Sequence, residues 1–306
     1  MHHTAPRRLA LAAVALGATV ALAACGTSES VDGGDASADA SGPLVVGSQD
    51  YYSNEIIAEI YAQALEANGF EVEREFRIGQ REVYIPEIES GAIDVFPEYT
   101  GNLLQYYVPD TTATTSDDVY AELTTALPEG LSVLDQAPAT DQDSYNVTQA
   151  FSDEFGVTSL ADLADVPEDL TLGGNSELET RPYGPDGLAE VYGVEVGFTA
   201  IEDSGGPLTL KALEDDDVQL VNIFSANPAI ATSALVTLED PEGLFLASNV
   251  VPVVSDRVDA EAADVIDAVS AALTAEDLVA LNAQSVDEQL SASDIAAGWL
   301  EEQGLF

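Results

Sequence analysis

The groups in this chain that could do chemistry are few, and their types point away from bond making. Its histidines, His2 and His3, stand at the extreme start, and its single cysteine is Cys25. Asp203-Ser204-Gly205-Gly206-Pro207 sets a serine hydroxyl in a glycine turn, yet a serine nucleophile needs a base and no histidine follows position 3. A Gly-Pro turn ahead of a helix accounts for the same residues. Glu214-Asp215-Asp216-Asp217 offers carboxylates to a hard cation without the spaced oxygens and central glycine of a calcium loop, so a solvated helix end is the plainer reading. Zinc has no ligand set, and no glycine-rich phosphate loop occurs. What remains is Gln49, Tyr99, Asn102, Tyr145, Arg181 and Phe224. Aromatic faces attract a cationic headgroup, and a guanidinium clamps a carboxylate through paired hydrogen bonds. These groups suit non-covalent capture of a small zwitterion, with no cofactor, no metal and no catalysis.

Such groups need elements that bring them together. The stretch from Ile88 to Gly101 is the most informative. Gly91 sits where a helix stop favours positive φ. Ile93 to Phe96 is an apolar run the length of a buried strand, which Pro97 is expected to end. Glu98, Tyr99, Thr100 and Gly101 then lie past the carboxyl end of a strand, where open α/β sheets bind ligands. Around this stretch the chain alternates: a strand over Leu44 to Gly47, a helix over Asn54 to Asn68, a strand over Phe70 to Phe76 and a helix over Glu82 to Ser90. That order predicts an α/β fold with a parallel sheet. Strands at Leu131 to Leu134, Tyr145 to Val147, Leu170 to Leu172 and Val218 to Phe224 form a second half, with Gly173 to Gly187 a long polar loop carrying Arg181. Phe224 takes a place there like that of Phe96 or Tyr99. The polar segment Ala137 to Ser144 and the extended run Leu244 to Val254 read as crossings between lobes. Three helices close the chain, two of them opened by capping boxes at Thr274 and Ser291.

Composition sets further bounds. The 306 residues are enough for two lobes, and 56 acidic against 8 basic residues give a formal charge of -48. Nucleic acid is excluded as a partner, because phosphate binding needs a basic patch. Repulsion among so many carboxylates is relieved by salt. Residues 1–25 read as a leader: His2, His3, Arg7 and Arg8 are its basic region and Leu9 to Ala21 its apolar region. Leu22-Ala23-Ala24-Cys25 resembles the lipobox of bacterial lipoproteins, which marks Cys25 for lipidation. Residues 26–42, rich in Gly, Ser, Ala and Asp, read as a flexible tether.

Four segments carry a family resemblance: Val45 to Gln49; Glu89 to Gly101; Thr180 to Gly184 with Gly187-Leu188 and Tyr192-Gly193; and Val221 to Ser225. On these, the body from Leu44 to Phe306 resembles the substrate-binding proteins of osmoprotectant ABC importers, which take up glycine betaine, choline and carnitine. The resemblance implies a two-lobed periplasmic-binding-protein-like α/β fold of type II, hinged on two crossing strands. Lobe 1 is then 43–143 with 250–306, and lobe 2 is 144–249. It implies a small zwitterion, an ABC permease with its ATPase, and an extracytoplasmic place held by the lipid anchor. It also assigns roles. Tyr99 and Tyr145 match cage tyrosines, and Arg181 matches the carboxylate-binding arginine. Phe224 stands for a third cage tyrosine, Ser248 falls at or near the fourth, Asn102 replaces a threonine and Gln49 a lysine. A ligand-sensing or scaffolding lipoprotein of the same fold, or a binder of another small polar solute, stays open beside delivery.

Overall fold

The computed structural model describes residues 42–306. The leader, Cys25 and the tether up to residue 41 lie outside the described residues. The chain begins with β1 (Leu44–Gly47), α1 (Tyr52–Ala67), β2 (Val72–Glu75), α2 (Arg81–Glu89), β3 (Val95–Tyr99), α3 (Thr100–Tyr107), α4 (Ser116–Ala126) and β4 (Leu131–Val133). It then builds β5 (Asp143–Thr148), α5 (Gln149–Phe155), β6 (Leu170–Gly174), α6 (Pro185–Tyr192), β7 (Val196–Ala200), α7 (Pro207–Glu214), β8 (Leu220–Phe224), α8 (Ala229–Thr232) and β9 (Leu235–Thr237). It returns through β10 (Val250–Ser255) and closes with α9 (Ala260–Ala272), α10 (Ala275–Val286) and α11 (Ala292–Gln303).

Two five-stranded sheets result, ordered β2-β1-β3-β10-β4 and β7-β6-β8-β5-β9. Each is parallel where its own lobe built it: β1 pairs in parallel with β2 and β3, and β6 with β7 and β8. The fourth strand of each sheet has just crossed from the other lobe and runs antiparallel to both neighbours. The expected parallel sheet is therefore a mixed one, in each lobe. The crossing segments run side by side, with the Val250 amide donating to the Ala139 carbonyl at 2.9 Å and the Asp141 amide to that of Ser248 at 3.3 Å.

Helix α1 is the spine of the first lobe. Ile56, Ile57, Ile60, Tyr61 and Leu65 are buried against β1, β3 and the closing helices, where Ile295 and Trp299 of α11 meet them. Burial of side chains this size contributes roughly 1.5–3 kcal/mol each before entropy is counted. Thr274 caps α10 through a capping box with Asp277, and Ser291 caps α11. Pro97 does not end its strand: β3 runs on to Tyr99, with Pro97 opposite Pro252 of β10. The Pro97 carbonyl accepts from the Asn54 amide side chain at 2.9 Å, on the side where β1 has already ended, so the missing N–H leaves no gap in the ladder. No helix among the described residues is long and apolar enough to cross a membrane.

Candidate functional site

The strand ends of both lobes face one cleft, which closes on a cavity of about 50 Å³. That is several times the space a single water needs and far too little for a peptide. Gln49, just past β1, Tyr99 at the end of β3 and Asn102 in α3 line it from the first lobe. Arg181, between β6 and α6, and Phe224 at the end of β8 line it from the second. These five sequence-predicted residues thus come together.

Tyr145 does not line this cavity. It is fully buried in the core of the second lobe, packed edge-on against Phe245 at 5.1 Å, and its hydroxyl donates to the Tyr183 carbonyl. Strand direction is the reason. In an antiparallel β5 the first residue, Asp143, stands at the cleft, and Tyr145 lies two residues deeper on the same face. Ser248 also stays out of the cavity. Its hydroxyl donates to Asn102 Oδ1 at 2.7 Å and accepts from the Gly101 and Asn102 amides at 3.1 and 3.2 Å, so it caps α3.

An aromatic cage forms at the end nearest the crossing segments. Tyr51 stands 5.3 Å from Phe224 and 6.4 Å from Tyr99, ring centre to ring centre, and the Tyr51 and Tyr99 hydroxyls are hydrogen-bonded to each other. Burial pushes both phenols well above their usual range, which leaves them neutral. Asp141 closes the same end, its carboxyl pushed by burial up to about 6 against hydrogen bonds from the Ala226 amide, Ser53 and Tyr51. Asp143 is also pushed up by burial, opposed by Asn102 and Asn222, which donate to it at 2.7 and 3.0 Å. Tyr51 follows Gln49 by two residues, so the strand-exit rule that found Tyr99 applies to it equally.

The other end carries the cations. Arg181 reaches across the cleft to Glu82 of α2, Nη1 and Nη2 meeting the two carboxylate oxygens at 2.5 and 3.1 Å. Arg81 lines the cavity but is held bidentate by fully buried Glu98, at 2.8 and 2.9 Å. Gln49 differs from both. Its Nε2 is buried and has no protein acceptor. A buried donor without a partner costs about 1–3 kcal/mol, which an acceptor in the cavity would remove. Ser204, the serine of the glycine turn, is paired on both its amide and its hydroxyl with Asn175, at 3.0 Å each, and has no base beside it. The arrangement is thus an aromatic cage with a buried carboxylate beside it, and a guanidinium and an unpartnered amide donor on the same cavity. It has the means to hold a solute.

Residues 42–302 match the family described as the substrate-binding domain of ABC-type glycine betaine transport systems. The chain belongs to this family. Its similarity to the glycine betaine-binding protein YehZ of Escherichia coli strain K12 is 28% identity over 280 residues, covering 87% of this chain and 92% of that protein. The structure of apo YehZ superposes with a TM-score of 0.63 at 27% identity, over 87% of this chain and all of that one. The fold is also that of a glycine betaine/carnitine/choline ABC transporter structure, with a TM-score of 0.69 at 16% identity over 86% of this chain and 99% of that one. Lactococcal OpuAC, closed on glycine betaine, gives 0.62 at 14%, over 86% and 96%. The family assigns the chain to the extracytoplasmic substrate-binding components of ABC importers, which are transport proteins and not enzymes.

Proposed function

We propose that this protein captures glycine betaine, or a closely related quaternary-ammonium zwitterion, and delivers it to an ABC permease and its ATPase. The observation that carries the reading is the polarity of the cavity, with Tyr51, Tyr99, Phe224 and Asp141 at one end and Arg181 and the free Gln49 amide available to a carboxylate. A trimethylammonium head has no hydrogen to donate, so rings and charge, not acceptors, are what can recognise it. In this reading 43–143 with 250–306 and 144–249 move as two lobes about the crossing segments, and a solute touching both holds them closed. Cys25 anchors the body through lipid to the outer face of the membrane, and the tether gives it reach. Calorimetric titration of the body with glycine betaine, proline betaine, carnitine, choline and unmethylated glycine tests the solute. Glycine betaine is expected to bind and glycine is not. Binding of glycine without the betaines would sink the reading.

A further inference from the structure

The cage end of the cavity is charged as well as aromatic. Asp141, on the first crossing segment, is 4% exposed and lines the cavity beside Tyr51, Tyr99 and Phe224. Its Oδ2 accepts from the hydroxyls of Tyr51 and Ser53 at 3.2 and 3.1 Å, and its Oδ1 from the Ala226 amide at 3.0 Å. All three donors are neutral. The guanidiniums at this cavity pair with other carboxylates, Arg81 with Glu98 and Arg181 with Glu82. Among the described residues Asp141 has no ion-pair partner. A carboxylate withdrawn from water without a cation is unfavourable, and neutral hydrogen bonds offset only part of the loss. Nothing facing it from the packed elements supplies the missing charge. Tyr51 and Tyr52 of α1 and Tyr99 of β3 are neutral phenols, Ser53 and Asn282 of α10 are uncharged, and Asp143 of β5 adds a second negative group.

We propose that Asp141 is the counter-charge of the bound solute, so that the site selects a permanent positive charge and not merely the shape of a trimethyl head. The proposal rests on the quaternary-ammonium reading above and deepens it. The same carboxylate joins both lobes, through Tyr51 and Ser53 on one side and the Ala226 amide on the other. A cation in the cage therefore offsets an uncompensated charge at the place where the lobes meet, and favours the closed arrangement that brings Phe224 against Tyr51.

The test compares glycine betaine with tert-butylacetate, which has the same shape and carboxylate but a neutral carbon in place of nitrogen. The parent protein should bind glycine betaine at least about 100-fold more tightly. Asp141→Asn should weaken glycine betaine about 10-fold or more and leave tert-butylacetate unchanged or tighter, while Asp141→Glu retains most of the discrimination. A structural role alone would weaken both ligands together, and that result overturns the proposal, as does unchanged glycine betaine binding by the Asn variant. The parent's pH profile gives a reading that needs no variant. Protonation removes the counter-charge, so glycine betaine affinity should fall as pH drops from about 7.5 to about 5, while tert-butylacetate affinity, counted for its ionised form because that carboxylate itself protonates near about pH 5, does not follow it. A flat profile for glycine betaine overturns the proposal even where the Asn variant does not fold. In a folded Asn variant a flat profile assigns the effect to Asp141, whereas a persisting fall assigns it to Asp143 and overturns the proposal. If the parent binds no quaternary amine at all, the functional reading itself fails, a result distinct from any change caused by Asp141→Asn.

Discussion

At the scale of single residues, the site is held by charges of two kinds, those saturated by the protein and those left for a solute. Glu98 is saturated. It accepts two hydrogen bonds from Arg81, one from the Tyr84 hydroxyl at 2.6 Å and one from the Tyr99 amide at 2.9 Å. Removing it would strand a buried guanidinium, so Glu98→Ala should cost about 3–5 kcal/mol, read as a lower urea midpoint with an unchanged slope. Arg181 is the opposite case. Its partner Glu82 is half-exposed, and that ion pair is worth little against solvent. Exchanging or sharing it with a solute carboxylate is therefore inexpensive. Arg181→Ala should weaken glycine betaine by about 1.5–3 kcal/mol, the range for a hydrogen bond to a charged group. Choline, which has no carboxylate, should be almost indifferent. An equal loss for both solutes by calorimetry would remove Arg181 from the anion end.

At the scale of elements, the corner between β3 and α3 has no loop: Tyr99 ends the strand and Thr100 begins the helix. The return segment clasps this corner, the Thr100 amide donating to the Asn249 carbonyl at 2.9 Å while Ser248 caps the helix. A methyl group on Gly101 would lie 2.8 Å from the Ala247 carbonyl oxygen and 2.8 Å from Leu246 Cβ. Backbone cannot yield as a side chain does. Gly101→Ala should therefore cost about 1–3 kcal/mol and, by shifting Tyr99 and Asn102, weaken solute binding as well. A thermal midpoint and affinity both equal to the parent's would refute the clasp. This corner also shows what a sequence can and cannot disclose. The apolar run, Gly91 and the aromatic at the end of the strand were legible, because each is a local demand of backbone or burial. Tyr145 was misplaced because alternation gives the face of a strand but neither its direction nor its depth. Helices α3, α4, α5, α6 and α8 and strands β7 and β9 have no counterpart in the sequence reading. Strand β7 lies at the edge of its sheet with no residue of Val196–Ala200 fully buried, so it carries almost no apolar signal. Asp141 was unreadable among 56 carboxylates, since only the fold singles out the one buried beside three rings.

For the molecule as a whole, attachment and charge are the properties that reach beyond the cleft. If Cys25 carries the anchor, Cys25→Ser should move the protein from the membrane fraction to the soluble one, and retention of the processed variant on membranes would count against lipidation. Charge bears on stability. Every Lys and Arg among the described residues already has a carboxylate partner: Arg74 with Glu59 and Glu66, Arg77 with Glu55, Arg81 with Glu98, Arg181 with Glu82, Lys211 with Asp215 and Arg257 with Asp94. Attraction is thus nearly used up, while the chain's 56 acidic residues far outnumber its 8 basic ones. Salt acts on these two populations unequally. Arg81–Glu98 is buried and Arg257 reaches a buried Asp94, so the strongest pairs are screened least. The carboxylates are mostly exposed, and repulsion among them fades as the screening length drops from about 10 Å at 0.1 M to about 3 Å at 1 M. Folded, the chain concentrates that charge; unfolded, it spreads it. The thermal midpoint should therefore climb steeply as sodium chloride rises from low millimolar to a few tenths molar, and level off toward molar. Sucrose, which stabilises by exclusion from the surface and screens nothing, should give no such early rise. A midpoint that is flat over the dilute range, or that sucrose reproduces there, would show that repulsion is not what limits this fold.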